Sequence, residues 1–320
     1  MARKGKQITI AVLMGAALAA SASVSGSAYA QSHHSSAYAK AAKSSSTVTF
    51  PLTVTDEAGN KVTISHRPVR IASVTEGTDE ILSALVPIKD LVLVTTYGKQ
   101  PAYSFVASKL KGIRGISSAT AEGIIAARPD LVFLASYTTP GVVNQIRQAG
   151  IPVYELTDFN SISQIEQNIL NVGLVVGKEP KARGIVAGMK QRLRLIAKAA
   201  TSGRKPTVMY YASPNYVAGK NTTMNSVILA AGGRNAAAAV NGWQPETAEA
   251  VVKQNPQILL FSQSDAKIAE AMLHSPKYST VAAIKDHRVF LLPDRDTGTV
   301  SQYIVDSVAT VAKDIGTLKK

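Results

Sequence analysis

Short apolar runs alternate with amphipathic stretches along most of this chain. Runs typical of buried β-strands lie at residues 70–74, 91–94, 131–135 and 153–156. Stretches with helical spacing lie between them, at residues 77–85, 121–127 and 142–149. Strands that alternate with helices are typical of α/β units around a mostly parallel sheet. Ahead of this pattern, residues 48–64 alternate on either side of a turn at 56–60, which predicts a β-hairpin.

The alternation stops in the middle of the chain, where two predicted helices follow each other. They cover residues 163–176 and 179–200. In the second, apolar side chains recur every three or four residues, which places them along one helix face. Strand-like runs return at residues 207–212, 258–261 and 289–292, and residues 300–315 predict a closing helix.

One segment of the first half recurs in the second. Residues 122–133 and 249–260 each predict a short helix, a proline and a buried strand, and each begins with a glutamate, Glu122 or Glu249, seven residues before the proline. Proline disfavours helical geometry in the preceding residue and so marks the helix end. We therefore predict two related Rossmann-like α/β lobes joined by a long connecting helix. The predicted boundaries are 48–165 for the N-terminal lobe, 166–205 for the connector and 206–320 for the C-terminal lobe.

The first 47 residues differ from the rest of the chain. Arg3, Lys4 and Lys6 precede an apolar run at residues 8–20, which is shorter than the ~20 residues of a membrane-spanning helix. Ala28-Tyr29-Ala30 then fits a signal-peptidase site. We predict a cleaved signal peptide at 1–30, with an uncleaved anchor as the alternative, and a flexible Ser/Ala/Lys-rich tether at 31–47. The mature protein is then expected to be soluble in the periplasm or outside the cell.

Composition and charge narrow the function classes. The chain has 35 Lys and Arg against 21 Asp and Glu, a formal net charge of +14, and no cysteine. A basic surface attracts anions at long range. An exported protein does not meet nucleic acid in the cytoplasm, however, and no dense Lys/Arg stripe with interleaved aromatics occurs. We expect a largely solvated basic surface, no nucleic-acid partner and no lipid attached through a cysteine.

The order of several motifs resembles the periplasmic binding proteins for cobalamin, ferric siderophores and haem, which serve ABC importers. The matching stretches are residues 70–75 with 79–82, 94–97, the two glutamate–proline–strand units, 149–153, and 216–219 with 230–233. The resemblance runs from Val48 to Ile315. It implies two α/β lobes bridged by a long helix, a ligand held between the lobes, and delivery of that ligand to a membrane permease.

The ligand pocket is expected in loops that follow strands, because parallel sheets bind ligands at the carboxyl ends of their strands. The candidates are Thr75, Glu76, Tyr97, Tyr137, Tyr211 and Trp243. The resemblance assigns Trp243, the only tryptophan, to the pocket most directly. Flat aromatic side chains suit a corrin, a porphyrin or a catecholate. The alternative for each tyrosine is a half-buried residue at a strand end.

The resemblance also gives a role to Glu122 and Glu249. In this family one glutamate on each lobe pairs with arginines of the membrane permease, and these two residues match those positions. The alternative is that each is a favourable acid in the first turn of its helix. The expected partners are therefore an ABC permease and a small metal complex, and the protein itself is expected to be a monomer.

Other chemistries find less support in the sequence. It contains no Gly-x-Ser-x-Gly elbow, no phosphate-binding Gly-rich loop and no cysteine, so we expect neither an enzyme nor a cofactor. Outside the tether, His66, His274 and His287 match no metal-ligand spacing, so we expect no bare metal ion. The favoured function is capture of a ferric siderophore or a cobalamin-like metal complex. Haem is the alternative, although Gln100 precedes Pro101, where haem-binding relatives often have a tyrosine.

Overall fold

Two α/β sheets and one hairpin organise the part of the chain that the computed structural model describes, residues 48–200 and 205–316. The predicted signal peptide at residues 1–30 and tether at 31–47 lie outside the described residues. Of the helices within the described ranges, none combines the length and the apolar character needed to cross a membrane.

The N-terminal half forms the hairpin and a five-stranded parallel sheet. Strands β1 (Leu52–Thr55) and β2 (Lys61–Ile64) pair antiparallel, as predicted. The sheet contains β3 (Ile71–Ser73), β4 (Leu91–Thr95), β5 (Gly115–Ile116), β6 (Leu131–Ala135) and β7 (Val153–Leu156). Its order is β5-β4-β3-β6-β7, with every pair parallel. All residues of β3 and β6 are buried, which explains why these strands are unbroken apolar or small-residue runs in the sequence.

Helices connect the strands of this sheet. They are α1 (Glu76–Leu85), α2 (Ala107–Leu110), α3 (Ala121–Ile125) and α4 (Pro140–Gln148). Thr75 caps α1 and Thr120 caps α3, each through a side-chain oxygen that accepts a hydrogen bond from a backbone N–H of the first turn. Such caps satisfy donors that the helix leaves unpaired, and so they fix where each helix begins.

Two consecutive helices, α5 (Ile162–Val175) and α6 (Glu179–Ala200), link the two halves. They approach closely because Gly173 lies against Ala182, where any larger side chain would collide. On α6 the buried residues are Ala182, Val186 and Met189, which follow the predicted apolar face. The predicted lobe boundary at residue 165 falls within α5.

The C-terminal half forms a six-stranded sheet. Its strands are β8 (Thr207–Ala212), β9 (Tyr216–Ala218), β10 (Arg234–Asn235), β11 (Trp243–Pro245), β12 (Ile258–Ser262) and β13 (Val289–Leu292). The order is β11-β9-β8-β12-β13, with β10 beside β8. The centre is parallel, but β9 runs antiparallel to β8 and to β11. Only residues 213–215 separate β8 from β9, and a parallel pair would need a much longer crossover. This edge therefore departs from the mostly parallel sheet that the sequence predicts.

The helices of the C-terminal half are α7 (Thr223–Ala230), α8 (Ala248–Gln254), α9 (Ala266–Leu273), α10 (Ala282–Lys285), α11 (Asp294–Gly298) and α12 (Ile304–Gly316). The chain order within β9-β8-β12-β13 repeats that within β4-β3-β6-β7. In addition, α8 precedes β12 as α3 precedes β6. The predicted fold class, two α/β lobes with a long helix between them, is confirmed.

Candidate functional site

The carboxyl ends of three neighbouring strands carry most of the predicted ligand residues of the N-terminal lobe. Thr75 and Glu76 follow β3, Tyr97 follows β4 and Tyr137 follows β6. Because the sheet order is β4-β3-β6, these positions lie side by side. We call this end of the sheet its carboxyl edge. Ligand sites of parallel α/β sheets lie at such edges.

Thr75 serves as the cap of α1. Its Oγ1 accepts a hydrogen bond from the Thr78 backbone N–H at 3.1 Å and lies 2.8 Å from the Thr78 hydroxyl. The residue is buried, at 7% exposure. Its hydroxyl is thus engaged within the first turn of the helix, and Thr75 contributes to the edge chiefly by positioning Glu76.

Glu76 and Glu80 face each other one turn apart on α1. Glu80 is fully buried and accepts hydrogen bonds from the Phe105 backbone N–H and from the hydroxyls of Thr299 and Ser301. Glu76, in contrast, has a buried Oε1 with no hydrogen-bond partner among the described residues. Burial raises the pKa of Glu76 well above its ordinary value, and the charge of Glu80 raises it further. Glu76 is therefore an acid whose protonated form is favoured.

Asp79 ties α1 to the loop that carries Tyr97. Its Oδ2 accepts hydrogen bonds from the Thr95 backbone N–H at 3.0 Å and the Thr95 hydroxyl at 2.6 Å. Burial raises the pKa of Asp79 to about 8. Gly98 lies so close to this carboxyl group that a Cβ would collide with it. Glycine at this position lets the loop after β4 pack onto α1.

Aromatic side chains stand in pairs near the carboxyl edges of both sheets. Tyr97 and Tyr103 meet edge to face with ring centroids 5.4 Å apart, and Tyr137 and Phe159 do so at 6.2 Å. In the C-terminal lobe, Trp243 meets Tyr210 at 5.8 Å. Trp243 is 37% exposed, so part of its indole is open to a ligand. It begins strand β11, whereas the sequence predicted a loop there.

Tyr137 combines an open ring with a hydroxyl that resists ionisation. The residue is 58% exposed, but the protein around the hydroxyl still desolvates it. Desolvation first, and then the charges of Glu76 and Asp79, raise the pKa of Tyr137 to about 12. The side chain is consequently a neutral phenol that can donate a hydrogen bond.

Tyr211, the predicted tyrosine of the C-terminal lobe, lies away from these pairs. It is 4% exposed and packs against Phe261 in the core, with ring centroids 5.7 Å apart. Successive side chains of a strand point to opposite faces. Its neighbour Tyr210 therefore faces the other way and contacts Trp243. The sequence suggested Tyr211 because of its position near a strand end; Tyr210, equally buried at 4% exposure, is the neighbour that contacts Trp243.

Side chains of the two lobes meet where these edges come together. Phe105 stacks on Tyr303 with centroids 4.7 Å apart, and the Arg295 guanidinium lies 4.9 Å from the centre of the Phe105 ring. The Thr223 hydroxyl donates a hydrogen bond to the Phe159 carbonyl at 2.6 Å. The bonds from Thr299 and Ser301 to Glu80 add to this junction. They also explain why the closing helix begins at Ile304 and not at the predicted residue 300, because residues 299–302 turn towards Glu80.

Comparison with known proteins agrees with this architecture. The family model of the periplasmic binding proteins matches residues 71–295. The ABC transporter substrate-binding lipoprotein YvrC of Bacillus subtilis is 31% identical over 279 residues, which are 84% of this chain and 87% of that protein. The chain belongs to the periplasmic binding protein family. It is an ABC-type substrate-binding protein, as the resemblance implied.

Other proteins similar to this binding protein are named after different ligands. A cobalamin-binding protein of Halobacterium salinarum is 28% identical over 222 residues, 67% of this chain and 59% of the relative. Among solved structures, the periplasmic heme-binding protein RhuT from Roseiflexus sp. RS-1 aligns with a TM-score of 0.68 and 23% identity, over 77% of this chain and 97% of that one. The second similarity shows the shared fold alone.

Glu122 and Glu249 occupy matched positions in the two lobes of the binding protein. Glu122 lies in the first turn of α3 and Glu249 in the first turn of α8, and Thr120 and Thr247 cap these helices in the same way. Both glutamates are exposed. A helix that precedes a parallel strand runs antiparallel to it, so both helix starts lie towards the carboxyl edges. Hydrogen bonds from its own backbone N–H and from Thr247 lower the pKa of Glu249.

The described residues contain no group of three or more His, Cys, Asp or Glu side chains that could hold a metal ion. The histidines considered from the sequence lie on separate segments, at His66, His274 and His287. Glu76 and Asp79, the acids beside Tyr137, have raised pKa values that disfavour the charged form a metal ligand needs.

Proposed function

We propose that this protein captures a metal complex between its two lobes and delivers it to an ABC permease, outside the cytoplasmic membrane and without chemical turnover. The observation that carries the proposal is the set of three aromatic pairs near the facing carboxyl edges, Tyr97–Tyr103, Tyr137–Phe159 and Tyr210–Trp243. Aromatic side chains bury a large area with few rotatable bonds, which suits a broad, flat ligand. Family membership supports the transport role.

Among metal complexes, the polar groups favour a cobalamin-like corrinoid over a highly charged ferric siderophore. The Tyr137 phenol lies beside Glu76 and Asp79, two acids whose raised pKa values favour the protonated form, so this part of the edge offers uncharged hydrogen-bonding groups. The unpartnered Glu76 Oε1 is buried, and a rotation of the side chain would let it accept a hydrogen bond from an amide of a corrinoid. A polyanionic chelate would gain less from these uncharged groups than from a set of cations. The cobalamin-binding relative supports the same choice.

Haem is the second candidate, because solved haem-binding proteins share the fold. A tyrosine that ligates ferric haem does so most readily as a phenolate. The pKa of Tyr137 is raised to about 12, which opposes that form. Tyr97 is the remaining predicted tyrosine at this edge. A Soret band in the purified protein after addition of hemin would favour haem over the corrinoid.

Delivery is assigned to Glu122 and Glu249. Their matched caps, exposure and placement towards the carboxyl edges support a paired contact with a permease, one glutamate per lobe. The protein would then act as a monomer whose two lobes engage the two halves of its membrane partner. Stabilisation of the first helical turn could explain either glutamate on its own. It does not explain why the two glutamates occupy matched positions in the two lobes.

The test is uptake of labelled ligand in cells that carry the cognate permease. We expect Glu122→Ala with Glu249→Ala to leave ligand affinity unchanged and to reduce uptake sharply, because truncating an interfacial charge pair can cost about 2–5 kcal/mol. A matched control replaces two exposed acids elsewhere, Glu270→Ala with Asp286→Ala, and should transport normally. Normal uptake by the first double variant would refute the delivery role, as would an equal loss of ligand affinity.

A further inference from the structure

The opposite end of the N-terminal sheet, where its strands begin, carries a row of basic side chains. Arg114 precedes β5, Lys89 precedes β4, Arg70 precedes β3 and Arg128 precedes β6. The sheet order β5-β4-β3-β6 therefore sets these residues on four adjacent strands, with Arg114 displaced along the strands so that it lies beside Leu93 of β4. Neighbouring strands lie about 4.8 Å apart, so the row extends over roughly 14 Å.

This row borders an open groove of 680 Å³. Lys89, Lys109, Arg70 and Arg114 line it together with apolar residues, which are Ile88, Leu91, Val92, Ile113 and Ala127. The four basic residues are exposed, and none forms an ion pair within residues 48–200 and 205–316. The groove thus combines an apolar floor with a rim of uncompensated positive charge.

Part of this rim is held in place by the fold. The Arg70 guanidinium donates hydrogen bonds of 2.8 Å to the carbonyls of Arg128 and Ala127. The nearby carboxylate of Asp130 is occupied by the backbone N–H groups of Val69 and Arg70. Among the described residues, the acids beside this rim are Asp130 and the buried Asp90; the Asp130 carboxylate is engaged with backbone, while the positive charge of Arg70 stays fixed at the groove.

We propose that this groove binds a linear polyanion with phosphate groups repeated along its chain, of the kind that covers cell surfaces. A row of cations matches a series of charges better than a single anion, and electrostatic attraction of this kind needs no sequence-specific contacts. The concave shape and apolar floor accommodate a chain with a carbon backbone, whereas a flat bilayer cannot enter a groove. The orientation of the groove also fits such a ligand, an argument that rests on the proposed function. If the carboxyl edges face the permease, the groove at the opposite end of the sheet faces away from the membrane.

Long-chain inorganic polyphosphate is the probe, titrated into the purified full chain at low ionic strength. The groove variant is Lys89→Ala with Lys109→Ala and Arg114→Ala; Arg70 is kept because its hydrogen bonds support the backbone. The matched control, Lys253→Ala with Lys267→Ala and Lys285→Ala, removes the same charge from exposed positions of the C-terminal lobe. We expect the groove variant to bind at least about tenfold more weakly, and the control to stay within about twofold of the wild type.

Three results would overturn the proposal: no binding of polyphosphate by the wild type, an equal loss in both triple variants, or unchanged binding by the groove variant. Vesicles of phosphatidylcholine and phosphatidylglycerol are tested in parallel. If the groove variant loses binding to the vesicles but still binds polyphosphate, the groove is assigned to membranes. Affinity for the transported ligand is measured for the same variants. This affinity should not change in the groove variant. A failure of the proposed transport function is therefore distinguishable from a failure of the proposed polyanion binding.

Discussion

Asp79 illustrates how burial controls chemistry at the scale of single residues. It lies fully buried beside Thr95, and its second oxygen has no hydrogen-bond partner among the described residues. With a pKa raised from 3.8 to about 8, the folded protein holds this proton more tightly than the unfolded chain does. The contribution of Asp79 to stability is therefore fully present below about pH 4 and is lost as the pH rises towards 8.

Asp79→Asn should remove this dependence, because an amide keeps an oxygen for Thr95 and cannot ionise. The wild type should lose about 2 kcal/mol of unfolding free energy relative to the variant between pH 6 and pH 8. Urea denaturation of both proteins across this range measures the difference. A constant difference at all pH values would mean that folding does not raise the pKa of Asp79.

Some features of the candidate site residues could be predicted from the sequence, and others could not. The common edge of Glu76, Tyr97 and Tyr137 was predictable, because strand ends are visible in the sequence and neighbouring parallel strands share an edge. The contact of Tyr210 with Trp243 was not predictable, because the run Thr207–Ala212 is apolar on both faces and its alternation carries no polar marker. The buried state of Glu76 depends on packing around α1, which no local pattern records.

At the scale of elements, long periodic segments were predictable and short ones were not. The bounds of α6 and β6 coincide with the predictions, since a 22-residue amphipathic helix and a fully buried five-residue strand have clear patterns. Strands β10 and β11 and helix α11 were missed, because two to five residues give too little periodicity to detect. The threonine caps ahead of Glu122 and Glu249 were not predicted, although Thr-Ala-Glu occurs in both halves of the sequence.

The cap of α8 offers a test of this element. Thr247→Ala should lower the free energy of unfolding by about 1 kcal/mol, because the Ala250 N–H loses its acceptor. Thr247→Ser keeps the hydroxyl and should behave like the wild type. Denaturation curves of the three proteins measure the effect. Equal stability of the alanine variant would show that this hydrogen bond contributes nothing.

At the scale of the whole molecule, the two-lobe fold was predictable but the junction between the lobes was not. The interruption of the strand–helix alternation and the repeated glutamate–proline unit revealed two halves. The hydrogen bonds of Glu80, however, join residues 219 and 221 positions apart in the chain. Such a pairing depends on how the lobes pack, and one sequence alone does not encode it in any local pattern.

This junction can be weakened without touching the ligand residues. Thr299→Val with Ser301→Ala leaves the buried Glu80 with fewer donors and should lower the free energy of unfolding by about 3 kcal/mol. Adding Glu80→Gln should recover part of the loss, because a neutral amide is easier to bury. Thr53→Val, on the exposed hairpin, serves as control in the same urea series. Wild-type stability of the double variant would show that the junction does not hold the lobes.

Capture of a metal complex between the lobes is tested most directly by titrating the purified protein with cyanocobalamin, a ferric catecholate siderophore and hemin. Calorimetry and the emission of Trp243, the only tryptophan, are followed together. We expect saturable binding of the corrinoid with a change in emission, and a loss of about 2 kcal/mol in affinity for Trp243→Ala. Leu229→Ala, an exposed apolar side chain on α7, should bind normally. The absence of binding by every member of the panel, or wild-type affinity in Trp243→Ala, would contradict the account.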